Sequence, residues 1–275
     1  MKAVKVACAA LLFSASMLYL PCLVEQANGS FRLTKTAIDV PFNPAWESDP
    51  PSEEFRSLLS KPFFYLGRGA QAFVFESEDR QFVLKLFRAS PKMHPWRAWL
   101  RSHFLKRRDR RTAEQKIQLL FGACQLAYSK APDLTGVVYI HLNSTNQLFP
   151  PTFLFNRLGK KIPVDLNRCR FALQKKGESV SKVFEDAIRQ KDKAKYLRLA
   201  KSLEALVQER ASRKLCNLDR KMGENFGFLG ETAIEWDFGN YAYNLELEDL
   251  DKKEAEIRIF TKSFQEFLDR TAFER

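Results

Sequence analysis

The sequence predicts an α+β fold of two lobes, the first rich in strands and the second short and helical. Three observations carry this. Strand-like apolar runs crowd between residues 63 and 174, with one helix-period segment among them. Beyond residue 190 the apolar residues recur at helical spacing instead. Finally, 275 residues with 45% hydrophobic and 28% charged content suffice for one two-lobed domain around a cleft. The same balance excludes wholesale disorder and a multi-span membrane protein.

Met1 to Ser30 reads as a targeting segment. Lys2 and Lys5 precede an uncharged run from Val6 to Val24, and Ala27-x-Gly29 offers small residues for cleavage. Residues 1–29 are thus a signal peptide or, since the apolar run spans 19 residues, an uncleaved membrane anchor. Residues 30–61 carry Pro41, Pro44, Pro50 and Pro51 and read as an extended linker. Strands are expected at 63–66, 73–75 and 82–87, followed by a basic segment from Arg97 to Arg111 and a helix over 112–129. Further strands are expected at 137–142, 152–158 and 170–174. A helix over 190–212, glycine-rich loops over 217–240 and a last amphipathic helix over 250–270 complete the chain.

Lys and Arg outnumber Asp and Glu by 45 to 33, a net charge of +12 that favours acidic partners. Cysteines fall at 8, 22, 124, 169 and 216, scattered and without a CxxC, beside only three histidines. That pattern argues against a disulfide framework or a structural zinc site.

Two constellations carry chemistry. The first is Leu66-Gly67-Arg68-Gly69-Ala70-Gln71-Ala72-Phe73-Val74, followed by Val83-Leu84-Lys85. A glycine-rich turn between strands lets backbone N–H groups approach phosphate oxygens, and a lysine on the next strand neutralises them. The second is Asp219-Arg220-Lys221, Asn225 and Trp236-Asp237-Phe238-Gly239, in loops after a long helix. Asn225 and Asp237 offer oxygen ligands suited to Mg²⁺. Asp219 is placed to accept a hydroxyl proton while Lys221 steadies a phosphoryl group in transfer. Plain hairpin and turn chemistry would account for either constellation alone.

Together, and in this order, they resemble the protein-kinase-like fold over about Phe63 to Tyr241. Gly67-x-Gly69-x-x-Ala72-x-Val74 is similar to the glycine-rich loop, with Ala in place of the third glycine. Val83-x-Lys85 resembles the strand-three lysine, Asp219-x-Lys221 the catalytic loop, and Asp237-Phe238-Gly239 the magnesium-binding motif. The resemblance implies a kinase-like domain over 62–275, with an N-lobe to about 174 and a C-lobe from 175. It implies an ATP- and Mg²⁺-dependent phosphotransferase acting on a hydroxyl acceptor (a small molecule, a glycolipid or a protein). The alternative it leaves is a pseudokinase that binds nucleotide or a partner without catalysis. Nucleotide contacts fall to Gly67, Gly69, Ala72, Val74 and Lys85, metal ligation to Asn225 and Asp237, and catalysis to Asp219 and Lys221. The acidic partner of Lys85 follows by elimination: between Lys85 and Asp133 only Asp109 and Glu114 are acidic, and Glu114 opens a helix.

The pattern departs from the family in three places. Cys216-Asn217-Leu218 stands where a His-Arg pair is usual, the step from Asp219 to Asn225 is one residue longer, and 38 residues (275 − 237) follow Asp237 without an Ala-Pro-Glu motif. Small-molecule and glycolipid kinases of this fold are similarly abbreviated. The run from Trp96 to Arg111 holds two tryptophans, and seven basic residues lie between 97 and 111. Its expected partner is an anionic membrane surface or an acidic acceptor. No recognised motif speaks for nucleic acid.

Overall fold

The structure is a computed structural model that describes residues 20, 24, 27–88, 112–219 and 222–270. Most of the segment 1–29, the basic run Arg97–Arg111 and Lys221 lie outside the described residues. Among the described residues no helix is long and apolar enough to cross a membrane.

The fold is α+β, built on a mixed seven-stranded sheet. Its strands are β1 (Phe63–Arg68), β2 (Ala72–Ser77), β3 (Phe82–Phe87), β4 (Val137–His141), β5 (Thr152–Phe155), β6 (Lys161–Val164) and β7 (Phe171–Lys175). They run in the order β4-β7-β3-β2-β1-β5-β6, with β1 and β5 parallel and the other neighbours antiparallel. Period-two alternation sorts each strand into two faces. Phe63, Phe73, Phe75, Leu84, Leu86, Leu154, Phe171 and Leu173 are all buried in one apolar cluster on the inner side.

Residues 30–61 correct the expectation of an extended linker. They contain helix α1 (Glu53–Ser60), whose first turn is capped by Ser52 accepting from Phe55 N at 3.3 Å. Phe31, Ile38, Trp46, Leu58 and Leu59 are buried, and Phe31 meets the edges of Phe73 and Phe75 at 5.1 and 4.9 Å. Proline content points to an irregular backbone, but large apolar side chains spaced through it anchor the segment to the core.

Helix α2 (Ala113–Lys130) follows the undescribed basic run. Thr112 and Gln115 form a reciprocal capping box, which fixes where it starts. Its face of Leu120, Phe121, Ala123, Cys124 and Ala127 is buried. A four-residue helix, α3 (Pro132–Thr135), leads into β4.

After β7 the chain forms β8 (Glu178–Ser179), helix α4 (Val180–Arg189), which the sequence reading did not resolve, and helix α5 (Lys193–Ser212). Tyr196, Leu199, Leu203, Leu206 and Val207 make the buried stripe of α5. The expected loops over 217–240 hold more regular structure than glycine content indicated. β9 (Leu215–Asn217) leads into them, and they contain the short α6 (Met222–Asn225) and a hairpin of β10 (Phe226–Leu229) and β11 (Thr232–Glu235) turning at left-handed Gly230. β8, β10 and β11 form a three-stranded sheet, while β9 pairs with β12 (Tyr241–Tyr243). Helix α7 (Leu250–Arg270) ends the described chain and packs Phe260 and Phe264 against Phe226.

Candidate functional site

A cleft of about 630 Å³ opens between the seven-stranded sheet and the segments around β9–β12. Leu66, Gly67, Gly69, Ala72 and Val74 from β1, β2 and their turn line one side, beside Val83 and Lys85 of β3. Asp219 and the run Trp236–Asn240 line the other, and Gln174–Ser179 forms the wall joining the large sheet to the three-stranded one. Residues as far apart in the chain as Leu66 and Asn240 thus converge on one cavity.

The β1–β2 turn is tight, with Gly69 N donating to Ala72 O at 2.9 Å and a register irregularity between Tyr65 and Gly67. A Cβ added at Gly67 or Gly69 would meet nothing within 4 Å, so the glycines leave open space beside the backbone. From the tip of this turn Gln71 reaches across the cleft, its Nε2 donating to Gly239 O at 3.4 Å. A Cβ at Gly239 would meet that amide, so a larger residue here would push the Gln71 side chain aside.

Lys85 is half-buried in the cleft wall. Its ammonium donates to the Trp236 carbonyl and lies 4.8 Å from the centre of the Phe238 ring. Burial lowers its pKa, and the neighbouring Asp237 and Cys124 act in the opposite sense. Gln174 braces the same point, donating to the Thr135 and Trp236 carbonyls while its buried Oε1 has no partner.

Glu114 does not join this group. It is exposed in the first turn of α2, ten residues before Cys124, and at 1.5 Å rise per residue that is about 15 Å along the helix. No ion pair joins it to Lys85 among the described residues. The side chain that α2 turns toward Lys85 is the buried Cys124, whose thiol pKa is raised by burial. Cys124 lies in the buried stripe of α2, whereas Glu114 lies in its exposed first turn.

The loops bearing Asp219, Asn225 and Asp237 are held by one another. β9 and β12 pair Asn217 with Tyr241 and Cys216 with Ala242. Asn217, almost fully buried, accepts from Asp219 N at 2.9 Å and donates to Glu235 at 2.8 Å and to the Asp237 carbonyl at 3.0 Å. Asn225 donates through Nδ2 to the Asp219 carbonyl at 3.0 Å, and its own carbonyl accepts from Asp237 N at 3.2 Å. Trp236 packs on Gly227, where a Cβ would strike its ring, and donates through Nε1 to the Glu224 carbonyl at 2.6 Å. The sequence reading passed over Gln71, Cys124, Gln174, Asn217 and Trp236. Of these, Trp236 directly precedes Asp237 and Asn217 stands two positions before Asp219, a visible signal in each case.

No group of three or more His, Cys, Asp and Glu side chains suited to a metal occurs among the described residues. That donor set does not make a self-sufficient metal cage. It does fit Mg²⁺ carried in with phosphates, which needs only one or two protein oxygens in addition to phosphate and water. Asp237 lines the cleft, whereas Asn225 is buried outside its lining, with Nδ2 donating to the Asp219 carbonyl, so the structure brings only one of the two expected metal ligands to the cavity. Compared with known proteins, the chain matches no family model and no curated protein.

Proposed function

We propose that the chain is an ATP- and Mg²⁺-dependent phosphotransferase of the protein-kinase-like superfamily, acting on a hydroxyl acceptor. On this reading the large sheet with α2 is the N-lobe, the part from residue 175 onward is the C-lobe, and the cleft is the nucleotide site. The observation that supports it most is the convergence of Gly67, Gly69, Val74, Lys85, Asp219 and Asp237 on one cavity. Gly67 and Gly69 would present backbone N–H groups to the phosphates, with Ala72 and Val74 beside the base. Lys85 would exchange the Trp236 carbonyl for a phosphate oxygen. Mg²⁺, held by Asp237, would supply charge neutralisation for the transferring phosphoryl. Asp219 would take the acceptor's proton, and Lys221 would balance charge beside it. The acceptor class stays as broad as a small molecule, a glycolipid or a protein, and the targeting segment makes the chain an exported or membrane-anchored one.

A second reading, a pseudokinase, is favoured by one observation: Lys85 faces Cys124 where the family reading calls for a carboxylate. The two are separated by thermal unfolding and phosphate release on the full chain. Mg-ATP at a hundredfold excess over Kd should stabilise the wild type by about 2.7 kcal/mol. Asp237→Asn should lose that stabilisation, whereas Asp219→Asn should keep it and lose release of the γ-phosphate. Stabilisation without phosphate release selects the pseudokinase, and no stabilisation at millimolar Mg-ATP overturns both. Full transfer by Asp219→Asn would show that a different residue takes the proton.

A further inference from the structure

The hairpin of β5 and β6 gives the sheet a surface that the cleft does not use. β5 lies parallel to β1 with Phe64 opposite Phe155, and β6 lies antiparallel to β5 with Phe153 opposite Pro163 and Phe155 opposite Lys161. Alternation turns Phe63 and Leu154 into the core and sets Phe64, Phe153 and Phe155 on the outward face. There Phe64 stacks on Phe155 at 4.9 Å and 11°, and the Lys161 ammonium sits 3.8 Å from the centre of the Phe153 ring. At the tip Leu158 is 61% exposed between Arg157 and Lys160. The tip is rigidly shaped: buried Asn156 accepts from Leu158 N at 3.0 Å and from Lys160 N at 2.9 Å, and left-handed Gly159 reverses the chain. Residues 152–164 hold three cations and no acid.

We infer that this hairpin docks on an anionic lipid bilayer, with Leu158 entering the interface and Arg157 and Lys160 meeting the headgroups. An apolar tip ringed by cations of one sign matches a surface that is apolar below and anionic above. The other partners that such an edge invites fit less well. A strand added to β6 meets Pro163, which has no N–H to donate, and Lys161, which guards the edge. Those two residues are accounted for by that protection; an exposed leucine at the tip is not. A nucleic acid would ask for free rings on which to stack bases, yet Phe64 and Phe155 cover each other and Lys161 covers Phe153. Because β1 carries Phe64 and, two and three positions on, the cleft residues Leu66 and Gly67, docking would set the cleft mouth close to the bilayer. The inference stands apart from the phosphotransferase reading and concerns a different surface from the basic run Arg97–Arg111.

The test uses the full chain with vesicles of phosphatidylcholine, alone or mixed with phosphatidylglycerol, at low salt. Hydrogen exchange across residues 153–163 should slow on the mixed vesicles and stay unchanged on the neutral ones. Leu158→Asn, and separately Arg157→Gln with Lys160→Gln, should abolish that protection without altering thermal unfolding, since all three side chains are exposed. The double variant should weaken partitioning onto anionic vesicles roughly thirtyfold, which corresponds to about 1 kcal/mol for each cation. Arg107→Gln with Arg108→Gln should leave protection of the hairpin in place. Hairpin amides that exchange equally fast with and without anionic vesicles would overturn the inference. Partitioning untouched by the hairpin variants would overturn it too, assigning membrane affinity to the basic run or the N-terminal segment. Protection by an oligonucleotide but not by vesicles would replace the bilayer with nucleic acid.

Discussion

Arg210 and Lys85 are both cations withdrawn from water, and their surroundings differ in kind. Arg210, fully buried on α5, donates to both oxygens of Glu235 at 2.8 Å and to Glu256 at 3.2 Å, and its guanidinium covers the Phe260 ring at 4.1 Å. Tyr241 and Asn217 complete the shell of Glu235 at 2.7 and 2.8 Å. Burial works against the Arg210 charge, and Glu235, Tyr241 and Glu256 together outweigh it, so its pKa is raised. Lys85 has a backbone carbonyl, a ring face, a thiol and Asp237 nearby, and its pKa is lowered. Where ionic partners answer one another within the chain, the region holds the fold together. Where a cation lines a cleft without an ion pair among the described residues, the proposed phosphotransferase reading assigns its partner to an anion from outside.

The largest expected effect breaks this comparison at its structural end. Arg210→Met leaves Glu235 and Glu256 buried without their counter-ion, which should cost about 3–5 kcal/mol in denaturant unfolding. Lys85→Met removes an ammonium that pairs with no carboxylate among the described residues, so stability should hold or rise while stabilisation by Mg-ATP disappears. A loss at Lys85 as large as that at Arg210 would make Lys85 a structural cation, and the contrast would fall.

His141 sharpens the comparison with a third solution, a buried titratable group kept neutral. Its Nδ1 donates to the Cys169 carbonyl at 2.7 Å, Nε2 lies 3.1 Å from Thr145 Oγ1, and Phe149 meets the ring edge-on at 4.8 Å. Burial holds its pKa down to about 4, below an ordinary value near 6.5. Between those values the unfolded chain binds a proton that the native state refuses, so stability falls as pH drops from about 6.5 toward 4. The shift corresponds to about 3 kcal/mol at pH 4. Urea unfolding at pH 7, 5 and 4 should show the decline, and His141→Gln should flatten it. An equal slope in the variant would place the acid sensitivity elsewhere.

The legibility of the chain follows the same division. Glycine pairs, a lysine on a strand and acids in loops are local in sequence, so Gly67, Gly69, Lys85, Asp219 and Asp237 could be read before the fold was known, and they do share a cleft. What escaped depends on contacts between distant segments. Phe31 and Trp46 turn a proline-rich stretch into part of the core only because Phe73, Phe75 and Phe121 are there to receive them. Glu114 satisfied a charge rule yet lies on the wrong turn of its helix, and the phase of α2 places Cys124 instead. The β10–β11 hairpin was hidden because its glycines read as loop, although Phe226 and Phe228 alternate inward.

The smallest expected effect concerns Gln71, which lines the cleft and also bridges to the opposite wall. Its Nε2 spans the cavity to Gly239 O at 3.4 Å, a long bond that is worth at most about 1 kcal/mol. The turn that carries it is also held by backbone bonds, from Gly69 N to Ala72 O and from Arg88 N to Gln71 O, both 2.9 Å. Gln71→Ala should therefore leave thermal unfolding almost unchanged while hydrogen exchange at Gly69–Ala72 quickens. Phosphates entering between the turn and Asp237 must part Gln71 from Gly239, so removing the amide should tighten Mg-ATP binding, by no more than about fivefold. Gly239→Ala attacks the same contact from the other side, because its Cβ meets the Gln71 amide. If the two substitutions break one shared bond, the double variant should bind Mg-ATP no more tightly than Gln71→Ala alone. Additive gains would mean that the contact does not restrain the turn, and weaker binding in Gln71→Ala would mean that the amide helps hold the nucleotide instead of standing in its way.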